Sequence, residues 1–430
     1  MRKTKIFAAL AAAAAVTPVL LLAGASMAAD SPITVWVDAT RQPAVEAFEA
    51  AHPEVKVNMV VDDGSSGASG TFQTKIGLAY QAGSGWPDVV FSTQNNDASW
   101  VSKETNGVQA FAQVLSDGFL DKTFLAGYTP GALDPVTMDG KVYGLRNDLA
   151  PVLFWYNKKL LDQFGYDVPK TWEDYEALGD KLAKDHPGYF LGSIGDSFEG
   201  PYIYYWSGQA PVFQVKGDTF SSDVNDPNSK KVTDMLDHML KNGTITQDSV
   251  FGASFVAKAD HLVAIPGPAW YSGALFQNPA GVNAKAGDWA AAPPLYWAKG
   301  DKVTGNVGGG VWYASSHTAS PAAVKTFLEF VITNDKTAGT GGLPAYQAAA
   351  DKWLDKQAAS GFYAGDFKTA VSTAASHVWN GWAYPNFSPE TAWAKIITPG
   401  LAAGKTIADL SADWQQEMKN EAQVVGYAVN

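Results

Sequence analysis

Apolar runs alternate with amphipathic segments over the first part of the chain, and this alternation predicts the local structure. The runs 33–38, 55–63 and 87–92 each have the length and apolar character of a buried strand. The intervening segments 41–53 and 71–82 repeat apolar residues at helical spacing. The order strand, helix, strand, helix, strand is typical of a parallel α/β sheet.

The same reasoning extends into the middle of the chain. Residues 152–156 form a continuous apolar run, which predicts another buried strand. The segment 168–188 predicts a helix with Thr171 as N-cap and Asp174 three residues later, which is the spacing of a capping box. Further helices are predicted at 228–243, at 320–333 and over most of 345–430.

Residues 376–393 interrupt this helical pattern with an unusual density of aromatic side chains. Glycine and proline within the segment break any long helix or central strand, so the segment is predicted to be a loop. Two further clusters, at 198–208 and 265–273, also place aromatic rings beside polar groups or turns. The rings of the three clusters include Tyr202, Trp206, Trp270, Tyr271, Trp379, Trp382, Tyr384 and Trp393.

Aromatic rings beside polar groups suit a sugar ligand, because a sugar ring has an apolar face and a polar edge. Flat rings accept the face, while carboxylate, amide and guanidinium groups bond the hydroxyls of the edge. The alternative is that each ring only packs between helices of a protein core. Three such clusters in turn-rich segments favour binding over packing.

The first residues predict export from the cell. A basic start with Arg2 and Lys3 precedes an apolar run that ends in small residues, which is the pattern of a secretory signal peptide over residues 1–28. The remaining length, about 400 residues, exceeds what one hydrophobic core usually serves, so two domains are predicted.

Composition argues against several classes of function. A formal net charge of −12 disfavours nucleic acid and anionic membranes as partners. The chain has no cysteine for disulfides or for a catalytic nucleophile, and its histidines lack metal-ligand spacing. Nucleophile-elbow and phosphate-loop motifs are also missing from the sequence, so no metal or cofactor is expected. A glycosidase pair among the many carboxylates stays open.

Seven motifs stand in a fixed order along the chain: ITVWVDATRQPAVEAFEAAHPEVKV, AGSGWPDVVFS, YGLRNDLAPVLFWYNKKLL, PKTWEDYEAL, IPGPAW, SPAAVKTFLEFV and GGLPA. In this order they resemble the extracellular solute-binding proteins of ABC importers, in the carbohydrate-binding group that includes maltose-binding protein. The resemblance implies an α/β fold of the type II-like periplasmic-binding-protein kind, with two lobes, a hinge and a ligand cleft between the lobes. Each lobe is then discontinuous, with residues 29–146 and 307–344 in lobe 1 and residues 147–306 and 345–430 in lobe 2.

The resemblance also implies where the ligand contacts lie. The expected polar contacts are Asp38, Thr40, Arg41, Asn95, Asn96, Asp148 and Glu199. The expected aromatic contacts are Tyr202, Trp206, Trp270, Tyr271, Trp379, Trp382, Tyr384 and Trp393. Tyr384 and Trp393 match the family's stacking platform, and Glu199 and Tyr202 match a Glu-Pro-Tyr motif in which Gly200 is an extra residue.

The function implied by the resemblance is capture of a sugar or oligosaccharide and its delivery to ABC permease subunits in the inner membrane, without catalysis. A monomer free in the periplasm is expected. The alternative is an extracellular, membrane-anchored lipoprotein, if Ala25 stands where relatives carry a lipid-bearing cysteine. Two other functions stay open, namely binding of a non-sugar solute such as a polyamine, and the work of a secreted glycosidase or lectin.

Overall fold

A five-stranded mixed sheet is built mostly from the first part of the chain in the computed structural model, which describes residues 32–61, 71–381 and 385–430. Its strand order is Val57–Val61, Ile33–Val37, Val89–Ser92, Val311–Ala314 and Leu145–Arg146. The first three strands are parallel, as predicted, with Val35 opposite both Met59 and Val89. The strand Val311–Ala314 runs antiparallel to both of its neighbours, an arrangement that local sequence did not indicate.

A second sheet has the strand Val152–Asn157 at its centre, which confirms the buried strand predicted there. The strands Ala264–Pro268 and Trp289–Ala292 pair with its two edges, both antiparallel. Helix Phe367–Ala375 packs against this second sheet, so the C-terminal part of the chain belongs with it.

The secondary structure of the described residues is as follows. The strands are Ile33–Val37, Val57–Val61, Val89–Ser92, Thr137–Met138, Lys141–Val142, Leu145–Arg146, Asp148–Leu149, Val152–Asn157, Gly192–Ser193, Gln214–Lys216, Thr219–Ser221, Ile245–Thr246, Ala264–Pro268, Trp289–Ala292, Val311–Ala314, Leu343–Pro344 and Ala428–Val429. The α-helices are Gln42–Ala51, Thr71–Ala82, Ala98–Val101, Lys122–Leu125, Lys158–Phe164, Trp172–Asp185, Pro227–Lys241, Ala253–Val256, Pro321–Thr333, Gln347–Ala359, Phe367–Ala375, Pro389–Ala392, Thr398–Ala402 and Ile407–Val424. The 3₁₀ turns are Asp134–Val136, Ala259–His261 and Ala338–Gly341, and the π-helical segments are Glu199–Tyr205, Ser272–Phe276 and Trp393–Ile397.

Local capping signals in the sequence fix helix starts. The Thr171 side chain accepts a hydrogen bond from the Asp174 backbone N–H at 3.0 Å, and the Asp174 carboxylate accepts one from the Thr171 N–H at 3.2 Å. Both bonds satisfy backbone donors that the first turn of a helix leaves free. The predicted capping box is therefore confirmed, and helix Trp172–Asp185 begins where the sequence indicated.

Three chain segments pass between the parts of the chain that carry the two sheets, and they lie side by side. The Val307 N–H donates to the Ala150 carbonyl at 2.9 Å, and the Val152 N–H donates to the Gly305 carbonyl at 3.0 Å. Strand Leu343–Pro344 pairs antiparallel with strand Asp148–Leu149, and so adds the third segment. Because a connecting segment has no sheet neighbour of its own, these mutual bonds satisfy its backbone groups.

Some predictions lie outside the described residues. The signal peptide over residues 1–28 is one, and the rings of Trp382 and Tyr384 are others. Among the residues that the structure does describe, none of the helices combines the length and the apolar character that a membrane crossing requires.

A buried carboxylic acid lies beside the first sheet, next to strand Val89–Ser92. Asp97 is 1% exposed, and its carboxylate accepts hydrogen bonds from the Ser92 hydroxyl and, at 2.8 Å, from the Trp100 ring N–H. Burial raises the pKa of Asp97 to about 6, more than these two hydrogen bonds lower it. The folded protein therefore holds this proton more tightly than the unfolded chain does.

We predict that the protonated Asp97 carboxyl contributes to the free energy of unfolding. This contribution is complete below the ordinary carboxyl pKa of 3.8 and is lost as pH rises through about 6. The variant Asp97→Asn has no titrating group at this position. At neutral pH its free energy of unfolding should therefore exceed that of the native chain by on the order of 3 kcal/mol. Denaturant unfolding measured across this pH range checks the prediction. The matched control is Asp335→Asn at an exposed position, which should leave the pH profile unchanged. An Asp97→Asn profile as steep as the native one would contradict the prediction.

Candidate functional site

A cavity of about 750 Å³ opens between the parts of the chain that carry the two sheets. Segments that lead up to strand Leu145–Arg146 form one side of it, and residues from 206 onward form the other side. Its lining residues with aromatic, sulfur or large polar side chains include Lys103, Met138, Tyr143, Arg146, Trp206, Asn306, Trp379, Asn380 and Tyr427. A concave site with this mixture of apolar and polar groups has the size and character of a small-molecule site.

We divide the residues that line the cavity into two groups according to how exposed they are. The cavity floor comprises the buried lining residues Ala132, Pro135, Arg146, Leu149, Trp206 and Asn306. The charged cavity rim comprises the exposed residues Lys103, Asp134, Asp139 and Asp218. On the rim, the Lys103 ammonium lies 3.8 Å from the Asp218 carboxylate, and this pair joins the two sides of the cavity.

Two predicted aromatic residues meet at the cavity. Trp206 lies on the floor, and its ring N–H donates to the Trp379 carbonyl at 2.8 Å. The Trp379 ring is partly exposed and packs against Gly381, where a Cβ would lie 2.1 Å from the ring. Gly381 therefore lets the ring fold over the backbone, and the loop presents Trp379 to the cavity.

Among the described residues of the cavity floor, Arg146 alone is charged, and the sequence patterns did not single it out. It is 2% exposed, and its Nη2 donates to the carbonyls of Asp148 at 3.0 Å and Gly308 at 3.4 Å. Its Nε is buried and has no hydrogen-bond partner within the part of the chain that the structure describes. A guanidinium has five N–H donors, so this group has hydrogen-bonding capacity that the described residues leave unused.

A second, very small pocket of about 10 Å³ adjoins the cavity and shares Trp206 and Asn306 with it. The predicted contacts Asn95, Asn96 and Tyr202 line this pocket. The Asn96 side-chain amide donates to the backbone carbonyls of Pro385 at 3.0 Å and Phe387 at 3.2 Å, on the opposite side of the cavity. The two sides are therefore held together at this point, and the space for a ligand lies towards the larger cavity.

Three predicted contacts lie in the interior instead. Trp393 is 0% exposed and packs against Tyr205 and Trp414 at ring-centroid distances of 6.1 and 5.1 Å. Glu199 and Tyr271 are also 0% exposed, with the tyrosine hydroxyl 3.4 Å from the carboxylate. None of these three side chains has exposed surface in this structure, and none of them lines the cavity.

The burial of Glu199 has a clear electrostatic consequence. Desolvation, reinforced by the nearby charge of Asp196, raises the pKa of the Glu199 carboxyl well above its usual range. Its carboxylate accepts a hydrogen bond from the Asp196 backbone N–H at 2.9 Å. Glu199 is thus an internal acid that supports the fold of this segment.

The other predicted residues line neither space. Asp38 and Arg41 pair with each other, with 3.1 Å between Arg41 Nη1 and the carboxylate, and Thr40 beside them is exposed. Asp148 accepts from the Gly310 backbone N–H at 2.9 Å within the connecting segments. Trp270 donates its ring N–H to the Val307 carbonyl at 3.0 Å, also at the connection.

The segment Glu199–Tyr205, which carries the Glu-Gly-Pro-Tyr sequence, is π-helical. The Trp206 N–H donates to the Pro201 carbonyl, five residues earlier, so the turn holds one residue more than an α-helical turn. Within this segment, a Cβ at Gly200 would lie 2.3 Å from the Trp393 ring. Glycine therefore permits the close contact between this turn and the buried tryptophan.

Sequence reasoning missed most of the cavity lining. Tyr143, Asn306 and Tyr427 come from distant parts of the chain and meet only in the fold. Arg146 had one detectable signal, since the chain has 28 lysines but only three arginines, Arg2, Arg41 and Arg146. An arginine inside an apolar stretch of such a chain is a candidate for a specific contact.

Comparisons with known proteins agree with this architecture. The chain is 26% identical over 350 residues to a lactose-binding protein of Rhizobium radiobacter, which covers 77% of this chain and 76% of that protein. It shares its fold with the ABC transporter associated binding protein from B. animalis subsp. lactis Bl-04, solved with β-1,6-galactobiose. That match has a TM-score of 0.71 and 22% identity, and covers 93% of this chain and 99% of the other.

A similar match is the galacto-N-biose/lacto-N-biose I-binding protein of the ABC transporter from Bifidobacterium longum, solved with lacto-N-biose. Its TM-score is 0.75 at 19% identity, over 94% of this chain and 99% of that chain. The α/β fold is therefore the two-lobe fold of periplasmic binding proteins, as the sequence indicated. The family model for bacterial extracellular solute-binding proteins matches residues 34–338, well over half of the chain. This chain therefore belongs to the bacterial extracellular solute-binding protein family.

Proposed function

We propose that this chain is the substrate-binding component of an ABC transporter and that it captures a sugar or a short oligosaccharide between its two lobes. The observation that carries the proposal is the cavity of about 750 Å³ with the rings of Trp206 and Trp379 in its lining. Such rings accept the apolar face of a sugar, and the amides of Asn306 and Asn380 beside them suit its hydroxyls.

The relatives support a sugar over other solutes. Similar proteins include binding proteins named for lactose, arabinooligosaccharide and maltodextrin, and the two solved structures described above were determined with disaccharides. A cavity of this volume falls within the range of about 300–1,000 Å³ that drug-sized ligands occupy. We therefore propose a ligand of two or three sugar rings.

A polyamine is disfavoured by the charges of the cavity. A buried cation-binding site needs a buried carboxylate, but the carboxylates that line the cavity, Asp134, Asp139 and Asp218, are exposed on the rim. The floor carries the positive charge of Arg146 instead. A cationic solute would have to place its charge beside this guanidinium.

Catalysis is disfavoured for a related reason. A glycosidase needs one carboxyl group kept protonated by its surroundings and a second one across the scissile bond. The internal acid Glu199 has no exposed surface, and the cavity carboxylates lie on the rim. We therefore propose a binding protein without catalytic activity.

The proposed lobes are residues 29–146 with 307–344, and residues 147–306 with 345–430. The connecting segments around Asp148–Leu149, 305–310 and Leu343–Pro344 would then form the hinge. The protein would act as a monomer outside the inner membrane, free in the periplasm or lipid-anchored, and would pass its sugar to the permease subunits.

We predict that Trp379→Ala weakens sugar binding by about 1–3 kcal/mol and changes stability little, because the ring is partly exposed beside the cavity. The matched comparison is Trp393→Ala, a tryptophan after the same loop that is fully buried. It should lower the free energy of unfolding by about 3–5 kcal/mol, while the folded fraction still binds. Isothermal titration with lactose and maltose, alongside thermal melts, checks both variants. The stacking role of Trp379 is wrong if the two variants exchange these phenotypes.

We predict that a bound sugar makes the molecule more compact. Only a closed form contacts the ligand from both lobes, so binding shifts the population towards closure. The bonds from Asn96 to the Pro385 and Phe387 carbonyls hold such a closed form together. Small-angle scattering should show a smaller radius of gyration at saturation than without sugar. A sugar that shows no binding by isothermal titration serves as control, and an unchanged radius with a saturating ligand would contradict the two-lobe mechanism.

A further inference from the structure

We propose that Arg146 selects the ligand by donating to two adjacent ligand oxygens, as presented by a sugar carboxylate or by a pair of neighbouring hydroxyls. The inference rests on the proposed function, since it names the group on the sugar that the cavity floor recognises. Arginine matches this geometry because its planar guanidinium presents parallel N–H donors.

The first support is the unused hydrogen-bonding capacity of the group. Within the described residues, the guanidinium makes its hydrogen bonds through Nη2 alone, to the carbonyls of Asp148 and Gly308. Its Nε is buried and has no partner among the described residues. Buried polar groups are nearly always satisfied in folded proteins, so a guanidinium that lines the cavity with unused donors is a candidate for hydrogen bonds to a ligand.

The second support is the absence of a compensating acid. Arg41, the other arginine of the described chain, pairs with Asp38 at 3.1 Å. No ion pair joins Arg146 to a carboxylate among the described residues, and the buried Asp148 directs its carboxylate to Gly310 and Asn147 instead. Burying a guanidinium without an acid partner is unfavourable, and oxygens of a bound ligand would offset part of that cost.

The third support is that the backbone makes room for this side chain and fixes it. A Cβ at Gly309 would lie 2.1 Å from Arg146 Nη2, and Gly309 has a φ of +96°, which favours glycine. The carbonyl of neighbouring Gly308 accepts from the same Nη2 atom. The guanidinium is therefore held by the connecting segments through Nη2, and the side chain lines the cavity in a fixed position.

The fourth support is the distribution of charge with depth. Arg146 is the only charged residue of the cavity floor, whereas Lys103, Asp134, Asp139 and Asp218 lie on the solvated rim. Charges in water are screened over about 8–10 Å, whereas a buried charge is screened much less. A ligand on the floor therefore meets a positive charge, which suits an anionic or oxygen-rich group.

The test uses the full chain with two substitutions, Arg146→Gln and Arg146→Lys, and titrates each with lactose, maltose and their oxidised counterparts, lactobionic and maltobionic acid. The acids carry a carboxylate where the parent sugars carry a terminal ring, so they separate the two sources of adjacent oxygens. The control Lys325→Gln removes one positive charge from the surface, where Lys325 pairs with Asp121.

Both Arg146 variants should weaken binding of the preferred probe by about tenfold or more, because neither glutamine nor lysine presents two parallel charged donors. The control should bind like the native chain. Preference for the acids, with affinity that falls as salt rises, identifies a carboxylate; preference for the neutral sugars identifies neighbouring hydroxyls. The proposal would be overturned if either the Gln variant or the Lys variant bound the preferred probe with the affinity of the native chain. In either case sugar binding by the native chain would leave the proposed function intact.

A second measurement needs no ligand. If Arg146 serves the ligand, Arg146→Gln should leave the unfolding temperature of the sugar-free protein unchanged or raise it, since a buried charge without an acid partner is removed. A clearly lower unfolding temperature would show that the side chain holds the connecting segments together, and would overturn the proposal even if none of the probes binds.

Discussion

The backbone hydrogen bonds between the connecting segments are the constraint on which the cavity depends. Each segment passes between the parts that carry the two sheets, so its N–H and carbonyl groups must pair with those of its neighbours or with water. The pairs Val307–Ala150 and Val152–Gly305 do this at 2.9 and 3.0 Å. They set the two sheets side by side, and the cavity is the space that remains between the parts carrying them. Its floor therefore includes residues of the connection itself, such as Asn306 and Leu149.

Because the cavity floor includes residues of the connecting segments, ligand binding at the floor would act on the proposed movement of the lobes. A ligand that touches Arg146 or Asn306 touches the segments whose backbone angles must change when two lobes open. Only interactions that differ between the open and the closed form can shift their populations. The hydrogen bonds from Arg146 to Asp148 and Gly308 lie in this region, so a ligand contact with the guanidinium would be sensed directly by the proposed hinge.

Sequence predicted well the features that depend on neighbours in the chain. The capping box of Thr171 and Asp174 and the strand Val152–Asn157 follow from patterns within a few residues. The predicted loop over 376–393 is wrong in its last part, because helix Pro389–Ala392 begins at a proline in the first turn and Trp393 starts a π-helical segment. The antiparallel pairing of strands in the second sheet and the identity of the cavity residues could not be predicted from such local patterns, because both depend on contacts between distant segments. The resemblance to a family gave the two-lobe fold, whereas the ligand contacts that it implied at Glu199, Tyr271 and Trp393 stay predictions, and these side chains are buried in the structure.

The tryptophans illustrate why composition alone cannot separate core from site. Trp206 and Trp393 both belong to aromatic clusters, and both are at most 3% exposed. Trp206 donates its ring N–H to the Trp379 carbonyl, whereas the Trp393 ring N–H is buried without a partner. Trp206 borders a cavity and Trp393 contacts only other residues, which is a difference of tertiary environment that the sequence around each ring does not record.

The effect of a charged side chain on a ligand also depends on its position in the fold, because exposed and buried charges are screened differently. The chain has a formal net charge of −12, and that value by itself would favour a cationic ligand. The carboxylates around the cavity are solvated at its rim, however, while the positive charge of Arg146 is buried on its floor. Because screening weakens the exposed charges far more than the buried one, the sign of the field at the ligand can oppose the sign of the whole molecule. On the proposed function, the buried guanidinium of Arg146 would therefore influence the chemistry that the cavity selects more than the exposed carboxylates do.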